Sequence, residues 1–587
     1  MVKKLVRQML PAQIVSALTV TLCLLIDNIM IGRFLGDQAL AAYGFASPLL
    51  LVIGAVGSML CAGVQVACGK SLGKGDQEET NVGYASAIAV AAVFSIVFTV
   101  LVVLLRVPLS KALGADSPEL LADTSGYIAA FCIGAPASMA ALILVPFLQM
   151  SGKSGLLITA VLSMTVSDVV FDLLNVYVFH GGMIGMGLAS ALSYYVAVLV
   201  GGWYFLSKSC VFRFSFDRIR WQKIKELLAG GVPTIIGMAS SVALAFSANH
   251  ILLHAGGKHA VAAYAVINTI MNAGNSISVG SGGVALTLSS VLYHEEDRTG
   301  LSQLLRVLTV TSVVLGLITT ALFQFFSPVC VKLFVPYAGD TQSIAISGLR
   351  VYALGLMFCC LSNVLRSCYQ GTGRVHRMEV IAVMANGVLP ILTALLFSHI
   401  GGVQGTWFLF TASEFLTIIG ILVFVWIEKR RVTLRAEDVL LLRPEYGVPA
   451  EDLLECDPSD LDGVMAFADR AREFCLSRGG GETLAEKLAG CVRNVAGSIV
   501  SYGFVPKRRN RLSIILQYRK SHCTLRFRDD CAPFDPESRE QTDDKRTEGI
   551  RNALELVDES HYTYSMNLNE LMMVLRERTH ERADEVC

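Results

Sequence analysis

The chain contains long apolar segments that occur twice in similar form. The first copy runs from Pro11 through Asp27 to Ala41-Ala42-Tyr43, and about 222 residues later the second runs from Pro233 through Asn249 to Ala262-Ala263-Tyr264. Another motif repeats as well, because Gln149-Met-Ser-Gly-Lys153 returns as Gln370-Gly-Thr-Gly-Arg374, each time between two apolar segments. Duplication of this kind in a hydrophobic chain is typical of transporters built from two halves around a central site.

Composition excludes a water-soluble fold for the first three quarters of the 587 residues, since 53% of the chain is hydrophobic, 16% is charged and the mean hydropathy is +0.56. With roughly 20 apolar residues per span, the sequence predicts twelve helices, near 10–32, 40–68, 82–105, 124–148, 156–179, 184–206, 228–253, 261–291, 304–327, 346–368, 378–398 and 403–427. Six helices per half return the chain to its starting side, so both halves should share one orientation.

The predicted fold is therefore an all-α polytopic membrane protein with twelve helices in two six-helix lobes, followed by a soluble C-terminal α+β two-layer sandwich. We expect the boundaries at 1–220, 221–431, a linker at 432–449, and 450–587. Lysine and arginine lie mostly in alternate loops and at both ends, which indicates a multi-pass protein of the cell membrane with cytoplasmic termini. The first apolar stretch is too long for a signal peptide, and the 15 cysteines have no zinc-binding spacing.

The few acids inside the apolar segments are the main chemical signal. Asp27 lies deep in the first predicted helix, and Asp168 and Asp172 lie near the middle of the fifth at a spacing that puts both on one face. A carboxylate at mid-bilayer costs about 2.5–3.5 kcal/mol, so these acids should face a wet cavity or a cation. Close carboxylates in low dielectric resist joint ionisation, which suits the exchange of H⁺ or the binding of Na⁺.

The second half lacks the matching acids. Asn249 stands where the first half has Asp27, and the region 380–396, which matches the fifth helix, contains no acid. We therefore expect ion coupling in the first half. Arg366, in the tenth predicted helix, either pairs with an acid or a polar substrate or extends to the cytoplasmic edge of the membrane.

Ile26-Asp27-Asn28-Ile29-Met30-Ile31-Gly32-Arg33 and Asp168-Val-Val-Phe-Asp172 resemble motifs of the multidrug and toxic compound extrusion (MATE) transporters, over residues 8–430. In that family an Asn is usual where Asp168 stands, and the branch with a glutamate on helix seven is a poor match. The resemblance implies a secondary active antiporter that exchanges H⁺ or Na⁺ for lipophilic or cationic small molecules and needs no other cofactor. We expect Gln149 and Asn249 to line the substrate cavity.

After Arg431 the pattern changes to that of a soluble domain. Helices are predicted near 461–475, 484–502 and 549–557, strands at 512–518 and 523–527 around a hairpin at 520–522, and one closing strand at 562–575. The segment from Arg528 to Pro536, with its Asp529-Asp530 pair, resembles the nucleotide turn of histidine-kinase-type ATPase domains in their anti-sigma-factor form, and Glu548-Gly549-Ile550 resembles the glycine turn beside the phosphates.

This resemblance implies a nucleotide site that lacks the catalytic and metal-binding residues of the family. The family's general base and Mg²⁺ ligand would fall at Asn494 and Ser498, and Cys531 and Thr547 replace two glycines of the turns. We therefore expect no ATP hydrolysis, and either nucleotide binding that uses Asp529 and Gly549 or contact with a cytoplasmic protein.

Three function classes follow from the sequence. Secondary active efflux is the main prediction, with a small-molecule substrate and the lipid bilayer as partners and no nucleic acid. A flippase of lipid-linked saccharides would share the architecture but would need a basic cavity. The third class is a membrane-anchored regulator that acts through its C-terminal domain.

Overall fold

The computed structural model describes residues 1–207, 210–335, 339–431, 433, 435–443, 446–505, 510–519, 521–534, 536 and 545–577. Within them, nine helices are long and apolar enough to cross a membrane, and up to eleven if two sharply bent helix pairs each count as one span. Large apolar side chains cover the outside of these helices; Leu199, Phe246 and Phe325 are 72%, 75% and 80% exposed. Such a surface is stable only in lipid, so the chain is a multi-pass membrane protein.

The helices of the apolar part follow one another with short connections. They are α1 (Val2–Met30), α2 (Asp37–Gly73), α3 (Gln77–Leu104), α4 (Arg106–Ala112), α5 (Pro118–Cys132), α6 (Ala135–Met150), α7 (Ser154–Leu174), α8 (Gly182–Gly202), α9 (Trp221–His294), α10 (Arg298–Lys332), α11 (Asp340–Ala353), α12 (Leu356–Gly371), α13 (Val375–Val383), α14 (Leu389–Thr406) and α15 (Phe408–Lys429). Short π-helical segments extend α1 at Ile31–Leu35, extend α7 at Asn175–Phe179 and join α13 to α14 at Met384–Val388.

Four of the predicted helices differ in form from expectation. The fourth and tenth are bent pairs, α5 with α6 at 47° and α11 with α12 at 45°. The seventh and eighth are one helical run, α9, of 74 residues. A straight helix of that length would measure about 110 Å, but the backbone of Gly257 leaves helical geometry at φ 66 and ψ −159. Only glycine adopts this conformation readily, so the chain turns there.

The C-terminal part is a five-stranded antiparallel sheet with helices packed against it. Its strands have the order β1-β2-β3-β5-β4. They are β1 (Leu453–Cys456), β2 (Leu512–Arg519), β3 (His522–Asp529), β4 (Glu559–Ser565) and β5 (Leu568–Arg576), and the helices are α16 (Ala436–Val439), which precedes the sheet, α17 (Leu461–Ser477), α18 (Glu482–Ser498) and α19 (Lys545–Leu554). We call residues 453–576 the sheet domain. Its core is a separate apolar cluster that joins α17 and α18 to β2, β3 and β5.

The single closing strand predicted at 562–575 is wrong. Two strands, β4 and β5, lie there, and the chain reverses at Met566 and Asn567, whose φ angles are 54 and 58. Buried positions alternate along both strands, at Thr563 and Ser565 in β4 and at Leu571, Met573 and Leu575 in β5, so the period of two continues across the turn and hides it. Asn is a good residue for this conformation, but Met is not.

The stretch predicted as a linker is packed against the apolar helices. Helix α16 lies within it, and Val439 to Leu442 are buried. Tyr369 of α12 donates its hydroxyl hydrogen to the carbonyl of Val439 at 2.7 Å, and Arg374 donates to the carbonyl of Leu441 at 2.7 Å. The sequence pattern also does not predict β1, a strand of four residues.

Candidate ion-coupling site

Helices α1 and α7 each bury one stripe of side chains, and the predicted acids lie on these stripes. Along α7 the buried positions recur every three or four residues up to Asp168 and Asp172, and along α1 they do so up to Asp27 and Met30. Residues at this spacing share one helix face. The packing of α1 on α7 therefore turns the three carboxyl groups toward each other.

The three carboxyl groups lie within reach of one another. Asp27, Asp168 and Asp172 are 4%, 1% and 0% exposed, and the side chain of Asp27 lies within electrostatic range of both other acids. Ionised carboxylates this close repel one another in a low dielectric, so a bound proton or cation lowers the free energy of the cluster. The arrangement can hold a proton, or a cation in its place.

Few hydrogen-bond donors of the protein contact these acids. Ser190 of α8 donates its hydroxyl hydrogen to Asp27 Oδ2 at 3.3 Å. Within the described residues, Asp27 Oδ1, Asp168 Oδ1 and both oxygens of Asp172 are buried without a hydrogen-bond partner. Also within that part of the chain, no group of three or more His, Cys, Asp or Glu side chains is arranged to hold a metal ion.

An aromatic cluster borders the acids, and the sequence reasoning did not identify it. The rings of Tyr43 and Tyr127 meet edge to face at 5.5 Å, and Phe131 continues the cluster to Tyr194 at 6.5 Å. Tyr43 and Tyr194 both lie within electrostatic range of Asp27 and Asp168. Aromatic faces next to acids suit a lipophilic cation. The sequence signal, a tyrosine in each of three neighbouring helices, is visible only once those helices are known to meet.

A π-helical segment follows each acidic stripe, at Ile31–Leu35 after Asp27 and at Asn175–Phe179 after Asp172. Asn175 holds the second segment in place, because its side chain donates to the carbonyl of Gly182 at 3.1 Å and accepts from the amide of Gly181 at 3.1 Å. Single π-helical turns occur frequently at functional sites. Here they end the helices just beyond the acids.

The two residues predicted to line the substrate cavity lie apart from the acids in the contacts of the described residues. Gln149 is fully buried near the end of α6, where its carbonyl oxygen accepts a hydrogen bond from the side chain of Gln13 at 2.8 Å. Its own amide nitrogen has no partner among the described residues. Asn249 is exposed on the first part of α9.

The two predicted nucleotide residues have internal contacts in the sheet domain. Asp529 is 1% exposed, and its Oδ1 accepts from the side chain of Asn569 at 2.8 Å and from the amide of Cys531 at 2.9 Å. A Cβ added at Gly549 would lie 2.0 Å from Ser498 Oγ. Gly549 therefore permits close packing of α19 on α18. The contact is at Ser498, the position that corresponds to the metal ligand of the histidine-kinase-type ATPase domains. Asp535, in the same motif, is outside the described residues.

A second buried polar group lies between α12 and α15, and the sequence analysis missed its acid. Arg366 is 6% exposed, so the expectation that it extends to the membrane edge is wrong. Its Nη1 donates to Asn386 Oδ1 at 3.0 Å, and its Nη2 lies 4.0 Å from Glu414 Oε1. Ser362 donates to the other oxygen of Glu414. The sequence did contain a signal for it, because Glu414 is a single glutamate inside the apolar segment of α15. The cost of burying a charge in lipid, which identified the aspartates, applies to it as well.

Curated relatives resemble the chain over most of its apolar part. It is 21% identical over 437 residues to "Multidrug export protein MepA" of Staphylococcus saprophyticus, covering 73% of this chain and 94% of that protein. It is 24% identical over 433 residues to "Probable multidrug resistance protein YoeA" of Bacillus subtilis, covering 70% of this chain and 90% of that protein.

Solved structures share the fold. "Crystal structure of MATE in complex with MaL6" aligns with a TM-score of 0.67 at 20% identity, over 73% of this chain and 96% of that chain. A structure titled "Reverse polarity of binding pocket suggests different function of a MOP superfamily transporter from Pyrococcus furiosus Vc1 (DSM3638)" aligns with a TM-score of 0.66 at 20% identity, over the same shares. At this identity the likeness shows the fold alone.

The sequence profile of one family matches the chain twice, over residues 12–174 and 233–396, which together are more than half of its length. We call these the first and second repeat. They agree with the duplication read from the sequence, and Asp27, Asp168 and Asp172 all lie in the first of them. The chain therefore belongs to the MatE family.

Proposed function

We propose that the chain is a secondary active exporter of lipophilic or cationic small molecules, and that it exchanges H⁺ or Na⁺ at Asp27, Asp168 and Asp172. The observation that carries this proposal is the meeting of three buried carboxyls, four of whose oxygens have no hydrogen-bond partner among the described residues. A charged cluster in lipid is costly, and a proton, a sodium ion or a cationic substrate each lowers that cost. Binding of one therefore competes with binding of another.

Competition at one site is sufficient for antiport. When the coupling ion neutralises the acids, a cationic substrate loses its electrostatic partner and leaves; when the ion departs, the acids attract the next substrate. The aromatic cluster of Tyr43, Tyr127 and Tyr194 beside the acids supplies apolar surface for such a molecule. The names of the curated relatives, which describe multidrug export and resistance, support this substrate class. As a transporter the chain catalyses no covalent reaction.

We further propose twelve spans in two six-helix lobes, with both termini in the cytoplasm. The turn of α9 at Gly257 supports two spans in place of one, and two bent pairs account for two more. The positions of lysine and arginine support the orientation. No additional cofactor is needed.

Vesicle transport tests the proposal against its alternatives. Purified protein in proteoliposomes should drive ethidium efflux when a H⁺ or Na⁺ gradient is imposed, and only one of the two ions should be required. Gradient-independent movement of a lipid-linked saccharide would instead indicate a flippase. A flippase would need a basic cavity for the anionic headgroup of its lipid. Arg366, the chief buried cation between the second-repeat helices, already has Asn386 and Glu414 as neighbours, and this does not favour binding of such a headgroup.

We propose that the sheet domain does not hydrolyse ATP. Asn494 and Ser498 stand where the general base and the Mg²⁺ ligand of the resembling ATPase family would be, and Gly549 packs closely on Ser498 at that point. Without water activation and metal anchoring, phosphate chemistry has no catalyst. Any role of this domain should then depend on binding.

A further inference from the structure

The tip of the β4–β5 hairpin docks on the loop between α6 and α7, in the first repeat. The amide of Met566 donates to the carbonyl of Met150 at 2.7 Å, and the side chain of Asn567 donates to the carbonyl of Gly152 at 2.7 Å. A Cβ at Gly152 would lie 2.4 Å from the backbone nitrogen of Asn567, and φ at Gly152 is 71. Only glycine permits this approach. We call these contacts the hairpin anchor.

The middle strand of the same sheet, β3, binds a loop of the second repeat. Arg528 of β3 donates to Asp297 Oδ2 at 3.2 Å and also to Glu295, and Arg526 Nη1 lies 3.6 Å from Glu295 Oε2. The Glu295 side chain is 2% exposed and that of Arg528 is 8% exposed. These acids lie in the loop between α9 and α10. We call these contacts the arginine anchor.

The membrane helices are closed at the end where the sheet domain docks. Ser290 of α9 donates its hydroxyl hydrogen to the carbonyl of Val66 in α2 at 2.9 Å. A Cβ at Gly69 would lie 2.6 Å from Ser290 Oγ, and one at Gly73 would lie 2.3 Å from the carbonyl oxygen of Val291. Helix α2 of the first repeat and α9 of the second repeat thus meet without a gap, directly beneath the two anchors.

We propose that the sheet domain is an intramolecular clamp that joins the two repeats and keeps the membrane helices closed at its own end. The inference rests on the proposed transport function, in which the repeats must separate at each end in turn. Separation of α2 from α9 would pull the loop at 150–152 away from the loop at 295–297. Because one rigid sheet is bound to both loops, one anchor must release before this end can open.

The chemistry of the anchors allows release. The arginine anchor consists mainly of ion pairs, whose mutual attraction is offset by the desolvation of the same charges, and both partners regain water when they part. The hairpin anchor adds two hydrogen bonds, with Met566 and Leu568 as its apolar part. An interface of this composition is suited to repeated docking, whereas an extensive apolar interface would be permanent.

Thiol labelling at the closed end tests the clamp. Ser290→Cys puts a thiol of nearly the same size between α9 and α2, where Ser290 is fully buried, and a membrane-impermeant maleimide added on the sheet-domain side reports its exposure. Asn567→Gly removes the side chain of the hairpin anchor but keeps the left-handed turn. Labelling should rise about five-fold, the shift that corresponds to one net hydrogen bond. The parent chain, which keeps Ser290, measures labelling of the native cysteines.

Two further variants complete the test. Glu295→Gln, which weakens the arginine anchor independently, should raise labelling as well, so the result does not depend on one variant remaining folded. Arg472→Gln changes an exposed residue of α17 that binds Glu482 and Glu486, away from both anchors, and should leave labelling unchanged. If Ser290→Cys is labelled equally in the otherwise unchanged chain and in the Asn567→Gly and Glu295→Gln backgrounds, the clamp is overturned. Labelling that rises in a protein without ethidium efflux would instead refute the transport function and leave the clamp standing.

Discussion

Replacing Asp172 with Asn should abolish gradient-driven efflux without destabilising the protein. Asp172 is fully buried, and neither of its carboxyl oxygens has a hydrogen-bond partner among the described residues. It is one helical turn from Asp168, or about 6 Å between side chains. The amide keeps the shape of the side chain but binds neither a proton nor a cation in exchange, so coupling is lost while packing is retained.

The expected effect on stability follows from two opposing contributions. Two unit charges about 6 Å apart repel by roughly 3 kcal/mol at an effective dielectric constant of about 20, and Asp172→Asn removes this repulsion wherever both acids are ionised. An unpartnered buried amide costs about 1–3 kcal/mol. The two contributions nearly cancel, so the free energy of unfolding should stay the same or rise. Most substitutions of a buried, well-paired polar residue would lower it by several kcal/mol.

Two measurements on one preparation decide the matter. Ethidium efflux from proteoliposomes under an imposed H⁺ or Na⁺ gradient should fall to the rate of empty vesicles, and thermal unfolding in detergent should show an unchanged or higher melting temperature. Asp116→Asn, in the exposed loop before α5, is the matched control and should transport normally. Efflux by the Asp172 variant at the parental rate would refute the coupling role, and loss of efflux together with early unfolding would show a structural role instead.

Further predictions concern other parts of the chain. Ser190→Ala should slow efflux about ten-fold or more without abolishing it, because Ser190 supplies one hydroxyl to Asp27 and such a bond to a charged group contributes about 1.5–3 kcal/mol, where 1.4 kcal/mol corresponds to a factor of about ten; complete loss would contradict this reading. Glu414→Gln should destabilise the protein in thermal unfolding by about 3 kcal/mol, since it leaves Arg366 unpaired, and adding Arg366→Gln should restore most of the loss; additive losses would show that the two residues do not interact. The purified full chain should show no Mg²⁺-dependent ATP turnover above protein-free micelles. If it binds ATP, saturation at 100 times the dissociation constant should stabilise it by about 2.7 kcal/mol, and an unchanged melting temperature would leave a protein-contact role for the sheet domain.

Much of the membrane part could be predicted because its signals are local. A stretch of apolar residues must be a helix in lipid, where every backbone group needs an internal partner, and the family match at 12–174 and 233–396 agrees with the repeat seen from Pro11 and Pro233. Bends within a continuous apolar pattern leave no such local signal. The bends between α5 and α6 and between α11 and α12 change direction without changing composition.

The candidate site could be predicted in part for the same reason. Desolvation makes a carboxylate in an apolar segment conspicuous, and the four-residue spacing of Asp168 and Asp172 puts them on one face before any fold is known. That Asp27 joins them, with Ser190 as its donor, depends on how α1 and α8 pack on α7. Glu414 carried the same signal and was overlooked, although its partner Arg366 could be identified only in three dimensions.

The sequence by itself determined that this chain spans a membrane, that it is built from two similar halves, and that the three aspartates of the candidate site lie in the first half, because hydrophobicity and the cost of a buried charge act residue by residue. Only the tertiary structure decided which side chains meet. Asn567 and Gly152 are 415 residues apart, and Arg528 and Glu295 are 233 apart. Contacts across such separations form when folded helices and strands dock on one another. The periodicity of a sequence does not predict which of their surfaces meet, so the attachment of the sheet domain to both repeats was visible only in the tertiary structure.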